Sequence, residues 1–280
     1  MTRATILIPA HNEAAVIERT LLHLSRGMSF ADFRIVVIAN ACSDATAAKT
    51  RSILPRATVI ETATAGKCHA LNLGYQAADR DSPIICLDAD LDVTVEALNA
   101  LIRPLTDGTA LATCGHMDVR TDAASPLVRA YYRGWRTNPY FDRGKFGGLF
   151  ALSPQAASRV FPLPEITADD EYVRRSFTDA ETRFVRLCRF SAMAPATVSS
   201  LLKVRRRSLQ GARDVAAMGM PSPERGSLGI VARRAFARPS NAFPVAVYAI
   251  INGWTRLSLK FWHRGKPRRW ERDLTTRVSG

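Results

Sequence analysis

The chain has 280 residues, 47% hydrophobic and 23% charged. That composition suits one large α/β domain, or a domain of about 200 residues with a tail, and argues against a disordered body. Lys and Arg outnumber Asp and Glu by 39 to 25, a formal +14. Such a surplus favours anionic partners (phosphorylated donors, acidic lipid headgroups or nucleic acid), unless it only reflects an Arg-rich proteome.

In chain order, Ala4–Ile8 is an apolar, β-prone run that stops at Pro9, and 14–24 carries Val16, Ile17, Thr20, Leu21 and Leu24 at helical spacing. Phe33–Ala39 reads as a buried strand, followed by a turn at Asn40, Ser43 and Asp44 and a helix over 45–54 that ends at Pro55. Thr58–Glu61 is a third strand and 67–78 a third helix; Ile84–Leu87 is a fourth strand, and a fourth helix starts near Val95. This alternation predicts βαβ units, hence a Rossmann-like, mostly parallel sheet with helices on both faces. Its strands read as continuous apolar runs because both of their faces are buried. Ligands of such sheets bind beyond the carboxyl ends of the strands. Further on, 111–119 and 149–152 read as strands, 131–146 is aromatic and Arg-rich, and 165–177 opens as a loop and becomes helical. From about Ser199 the sequence is basic, then amphipathic.

Five scattered cysteines, with no CxxC pair, predict neither a disulfide framework nor a zinc site and suggest a reducing compartment. The first ten residues lack the features of a signal peptide, and no run reaches the roughly 18 apolar residues of a membrane span.

Three polar clusters sit where strands end. Asp88-Ala89-Asp90, with Asp92 beyond, follows the fourth strand. Two such carboxylates suit Mg²⁺ or Mn²⁺, which keep waters and substrate phosphates as remaining ligands; the same run also suits a solvated loop capping the helix that follows. Pro9-Ala10-His11-Asn12-Glu13 offers groups for a base or ribose, while Asn12 and Glu13 equally suit a helix N-terminus. Gly66-Lys67 opens the third helix in a form that suits an anion, yet Glu61 and Cys68 stand where a P-loop needs Gly and Ser or Thr, which argues against an ATPase.

Taken in order, IPAHNEAAVIERTL, IANACSDATA, AGKCHALNLG, CLDAD, GGLFALS, TADDEYVRR and RRRSLQG resemble the family-2 glycosyltransferases of the GT-A fold, over roughly residues 4–211. The resemblance implies an inverting enzyme that takes one sugar from a nucleoside-diphosphate sugar, in cell-envelope polysaccharide or glycolipid synthesis. It implies that Pro9, Asn12, Glu13, Asn40, Asp44, Lys67, Asn72 and Asp88 line the donor site, and that Asp90 and Asp88 hold the metal. Gly147 and Gly148 would shape the acceptor side, and Asp169-Asp170 would supply the base, with Asp170 the chosen residue. Taken without the other motifs, that acidic pair would read instead as a helix N-terminal turn. The segment around the second strand departs from the common pattern, with Ala39, Asn40, Ala41 and Cys42, which blurs donor identity rather than class. Val204 and Ser208 replace the Gln and Trp of the processive Gln-x-x-Arg-Trp motif, which argues for single-sugar transfer, with Arg205 and Arg207 as candidate diphosphate ligands.

The expected division is a catalytic domain over 1–211 and a basic amphipathic helical extension over 212–280. Leu228–Arg238, Phe243–Trp254 and Leu257–Trp270 mix aromatic and basic residues, as an interfacial helix at an anionic bilayer requires; a helix packed on the catalytic domain accounts for 243–259 equally well. The expected partners are a nucleotide-sugar donor and a sugar, lipid-linked or other hydroxyl acceptor, with an anionic membrane surface as a candidate. No nucleic-acid motif accompanies the charge. The expected place is the cytoplasm, peripheral on the inner face of the membrane. A nucleotidyltransferase is disfavoured by PAHNE where a Gly-rich basic loop belongs, and a non-catalytic relative by the presence of Asp90 and Asp170.

Overall fold

The computed structural model describes residues 3–28, 32–138, 144, 146–221 and 239–262. Their contacts form two compact units, one from the described residues of Met1–Asp118 and Gly144–Ala192, the other from those of Val119–Arg143 and Met193–Val278. This division differs from a single cut at residue 211.

The first unit begins with β1 (Ala4–Ala10), α1 (Ile17–Ser25), β2 (Phe33–Asn40), α2 (Thr46–Ile53), β3 (Thr58–Thr62), α3 (Lys67–Gln76) and β4 (Ile84–Leu87). Next come β5 (Asp92–Val93), α4 (Val95–Thr106) and β6 (Ala112–Arg120). After α5 (Pro126–Trp135) of the second unit, the first resumes with β7 (Leu149–Leu152), α6 (Pro154–Val160), α7 (Asp169–Arg175) and β8 (Thr182–Met193). The strand order is β3-β2-β1-β4-β7-β6-β8-β5. β3, β2, β1 and β4 run parallel, whereas β4–β7, β6–β7 and β5–β8 are antiparallel.

The apolar runs build this sheet by alternation. Ile6, Ile8, Ile35 and Val37 join α1 and α4 in one core, while Leu7, Val36 and Ile38 join α3 and α6 in a second core. All seven strand residues are almost fully buried, and each such side chain contributes roughly 1.5–3 kcal/mol relative to exposure. On the second face α3 approaches closely: a Cβ on Gly74 would stand 2.7 Å from Ile38 Cδ1. Side-chain caps fix the starts of α4 and α6, where Thr94 accepts from Ala97 N–H (3.3 Å) and Ser153 from Ala156 N–H (3.1 Å).

In the second unit α5 packs with α8 (Val198–Ala217) and α9 (Ala242–Trp262). Gly134 lets α5 and α9 touch: a Cβ there would stand 2.3 Å from the Pro244 carbonyl oxygen and 2.8 Å from Tyr248 Cβ. The wholly buried Tyr131 lies in the same contact, its ring 5.4 Å from that of Tyr248. The apolar residues of 243–259 therefore belong to one helix, α9. Segments 228–238 and 263–270 of the expected interfacial region lie outside the described residues.

Candidate active site

The site lies in the first unit, at the carboxyl ends of β1, β2 and β4 and the start of α3. Where β1 ends, Asn12 adopts a left-handed φ of 53°, and its Oδ1 accepts from Ser43 N–H at 2.7 Å. Ala41, just past β2, is also left-handed, at φ 48°. A non-glycine residue in this region signals local strain of the kind functional loops retain. The Glu13 amide donates to Thr46 Oγ1 (2.9 Å), and the Ala14 amide to Asp44 Oδ2 (3.0 Å). Asp44 Oδ1 also accepts from Thr46 N–H (3.0 Å). Burial opposes ionisation of Asp44, but these hydrogen bonds outweigh it and hold the carboxyl below its ordinary range. Asp44 thus joins the β1–α1 turn to the start of α2.

Asn40 has a similar joining task. It is 4% exposed; its Nδ2 donates to the Ala10 carbonyl (2.9 Å) and its Oδ1 accepts from Gly66 N–H (3.2 Å). The ends of β1 and β2 and the start of α3 thereby share one amide. Asn72 points elsewhere: it donates to Leu163 C=O (2.9 Å) and accepts from Leu163 N–H (2.7 Å). The Cys68 thiol adds a contact to the Ile166 carbonyl at 3.4 Å. Together they tie α3 to the segment that leads into Asp169 and Asp170.

Lys67 brings the two acidic motifs together. Its Nζ lies 2.7 Å from Asp88 Oδ1 and 3.0 Å from Asp169 Oδ2. Burial opposes the ammonium charge, yet Asp169, Asp88 and Asp170 outweigh it and hold Lys67 protonated, well above its ordinary range. Asp169 is 3% exposed, and burial raises its pKa to about 6 against the pull of Lys67, with Asp170 and Asp88 adding to the rise. Asp170, less buried, accepts from Glu171 N–H with Oδ1 (2.8 Å). Glu171 in turn pairs with Arg174 (3.0 Å) and Arg175 (2.8 Å) along α7.

The acidic loop after β4 is held from three sides. Asp88 N–H donates to Gly148 C=O (2.8 Å). From α1, Thr20 Oγ1 donates to Ala89 C=O (2.9 Å), and Arg19 donates to Asp90 C=O (3.1 Å) and to Asp92 Oδ1 (2.7 Å). β5 then pins Asp92 and Val93 to β8. Asp92 is thus engaged by Arg19 as Asp88 is by Lys67, at 2.7 Å in each case, and Asp92 is further held in β5. Gly148 has φ 83°, and a Cβ there would stand 2.8 Å from Asp88 Oδ2, so only glycine keeps that oxygen clear. Among the described residues no three His, Cys, Asp or Glu side chains gather as a metal cage. Two carboxylates beside a glycine fit a hard divalent ion that completes its shell from phosphates and water.

Arg205 and Arg207 lie on α8 of the second unit, where Arg205 donates to Asn252 Oδ1 from Nε (3.3 Å) and Nη2 (3.1 Å). Gly147 is partly exposed beside Gly148. Pro9 is the penultimate residue of β1, in register with Ile38. Sequence reasoning missed Arg19 and Thr20 as supports of the acidic loop. Their only signal was polarity on a helix that follows the first motif. All five cysteines are free; burial pushes the Cys68, Cys114 and Cys188 thiols up to about 12, which keeps them protonated.

Fold and site define an α/β enzyme with its acidic groups at the carboxyl edge of a largely parallel half-sheet. Residues 5–160, more than half of the chain, match glycosyl transferase family 2, and the chain belongs to that family of glycosyltransferases. It has no significant match among curated proteins. Among solved structures it is similar to glucosyl-3-phosphoglycerate synthase from Mycobacterium tuberculosis in complex with Mn²⁺, UDP and glucosyl-3-phosphoglycerate. That match has 18% identity and a TM-score of 0.58, and covers 79% of this chain and 82% of the other. It is also similar to the mannosyltransferase PcManGT from Pyrobaculum calidifontis in complex with GDP-Man and Mn²⁺, at 18% identity and a TM-score of 0.59, covering 91% and 75%. These likenesses establish the GT-A-type fold.

Proposed function

We propose that the protein transfers a single sugar from a nucleoside-diphosphate sugar to an acceptor hydroxyl with inversion at the anomeric carbon. The observation that carries this reading is the Lys67 bridge, which gathers Asp88 and Asp169 around one ammonium although they lie far apart in sequence. A metal motif and a base motif within one charge cluster suit a displacement in which a proton is taken and a diphosphate leaves.

Asp170 takes the proton from the acceptor hydroxyl as that oxygen bonds to the anomeric carbon. The bond from that carbon to the diphosphate oxygen breaks on the opposite side, and the nucleoside diphosphate departs with the electron pair. Asp169, buried against Lys67, holds the ammonium in place and fixes the start of α7. Lys67 at the N-terminus of α3 offers positive charge to the phosphates. Asp88 and Asp90 would hold Mn²⁺ or Mg²⁺, which when bound neutralises the leaving diphosphate as a Lewis acid. Pro9, Asn12 and Glu13 line the nucleotide side, with Asn40, Asp44 and Asn72 holding the loops behind them. Gly147 and Gly148 leave room for the acceptor. Complexes of the two similar enzymes with UDP or GDP-Man and Mn²⁺ support a donor of this class. The basic composition is compatible with the anionic donor phosphates and with a lipid-linked acceptor; a role in envelope polysaccharide or glycolipid synthesis rests on the family resemblance alone.

The test is release of nucleoside diphosphate across a panel of nucleotide sugars with Mn²⁺, with Mg²⁺ and with EDTA. The expected result is slow release from one donor, abolished by EDTA and by Asp90→Ala. No release and no binding of any donor, with or without metal, would overturn the proposal.

A further inference from the structure

The second unit exposes an apolar stripe that the proposed chemistry does not use. On α9, Phe243, Ile250, Trp254 and Leu257 recur seven, four and three residues apart, and they are 64, 69, 61 and 52% exposed. That spacing aligns them along one side of the helix. The adjoining side, with Val247, Ile251, Thr255 and Leu259, is buried, so the stripe runs along the border of the packed face. No helix among the described residues is long and apolar enough to cross a membrane.

Arginine borders the stripe. On the α5 side a cavity of about 290 Å³ is lined by Arg129, Arg133, Ser240, Phe243 and Pro244, so two guanidinium groups share a recess with the first aromatic of the stripe. Beyond Trp254, Arg256 is exposed on α9 itself. Neither α5 nor α9 contains an Asp or Glu. Among the described residues no carboxylate pairs with Arg129, Arg133 or Arg256. A second copy of the chain would bring the same positive charge to this surface. A bilayer with anionic headgroups offers an apolar layer for Phe243, Ile250, Trp254 and Leu257, and negative charge beside it for the arginines.

We propose that α9 lies in the surface of an anionic bilayer, with Phe243, Ile250, Trp254 and Leu257 among the acyl chains and a lipid phosphate in the Arg129–Arg133 recess. The residues involved all belong to the second unit, so the inference stands or falls apart from the transfer chemistry.

The experiment is flotation of the full chain with vesicles of phosphatidylcholine alone, or of phosphatidylcholine mixed with phosphatidylglycerol. The expected result is flotation with the mixed vesicles at low salt, its loss at high salt, and none with phosphatidylcholine alone. Ile250→Glu/Trp254→Glu should abolish flotation while keeping the thermal melt and donor hydrolysis in solution. Arg129→Gln/Arg133→Gln should weaken vesicle affinity by about 25-fold, since each basic residue near such a surface contributes a factor of about five. The Glu variant keeps every basic residue outside the described region, so flotation retained by it would assign binding to those residues and overturn the proposal. Wild-type protein left in the dense fractions would overturn it as well. So would a wild-type dimer that the Glu variant makes monomeric without any lipid binding, which would identify a second copy as the occupant.

Discussion

The two units use polar residues in opposite ways. In the first, polar side chains at the strand ends are engaged inside the protein: Asn40 joins two strands to a helix, Asn72 clamps a loop, and Lys67 spans two acidic motifs. In the second, α5, α8 and α9 bury aromatic rings and one Arg205–Asn252 tie, but they leave apolar and basic groups facing outward. The contrast fits the two tasks proposed for the units. A reacting site gains from groups held before the substrate arrives, because no reorganisation is then needed at the moment of reaction. A surface that meets a large, deformable partner gains from exposed area and charge.

The largest effects are expected where the first unit meets substrate. Asp90→Ala should lower transfer by about 10²- to 10³-fold, the scale of losing a group that stabilises developing charge. Asp170→Asn should lose about 10²- to 10⁴-fold with donor binding retained. Steady-state kinetics with donor affinity measured separately would check both; activity surviving in Asp170→Asn would remove that residue as the base.

Lys67→Met comes next. It leaves Asp169 buried without its counter-charge, which should cost roughly 3 kcal/mol of stability. pH adds a signature. In the metal-free protein the Asp169 carboxyl titrates near 6, above its ordinary 3.8. Its contribution to stability is therefore fully present below about 4 and lost as pH rises through about 6. Without the ammonium the folded pKa should move further up, so the variant should recover stability on acidification over a window displaced to higher pH. Thermal melts in EDTA across pH 4 to 8 would show this, and parallel curves for wild type and variant would contradict the bridge.

Most of the scaffold could be read from sequence, since buried parallel strands announce themselves as apolar runs. β1, β2, β3, β4 and β7 were all expected within two residues of their observed limits. The acidic loop, Gly66-Lys67 and Asp169-Asp170 were legible as motifs. Their joining was not, because Lys67 meets Asp88 and Asp169 only through the chain's long-range packing. The partners of Asn40 and Asn72 were hidden for the same reason: an amide that can reach a nucleotide can also reach a backbone. β8 escaped notice although its buried Cys188 and Phe190 flank the exposed Arg189, an alternation of period two. Its partly exposed remainder lacks the continuous apolar run that marked the other strands. Helix α5 was masked by its aromatic and Arg content, and what buries it, Pro244 and Tyr248, lies more than a hundred residues away.

A test of tight packing in the second unit is Gly134→Ala. The added Cβ meets backbone at the Pro244 carbonyl, which cannot turn aside as a flexible side chain can. Overpacking of this kind costs about 1–3 kcal/mol. The melt should fall while metal-dependent donor hydrolysis at low temperature stays unchanged. Loss of hydrolysis in step with an unchanged melt would contradict the separation of tasks between the units.

The smallest effect separates two roles for Arg205. If the Asn252 contact is its task, Arg205→Gln should cost about 1 kcal/mol, the usual contribution of such a bond. Asn252→Ala should cost the same, and the double variant should be no worse than either single one, because both remove one interaction. Donor KM should be unchanged in all three. If Arg205 instead serves the diphosphate, KM should rise in Arg205→Gln and remain at the wild-type value in Asn252→Ala. The two substitutions act on one pair of side chains, but only the arginine carries charge, so kinetics and melting together assign the residue either to packing within the second unit or to the donor.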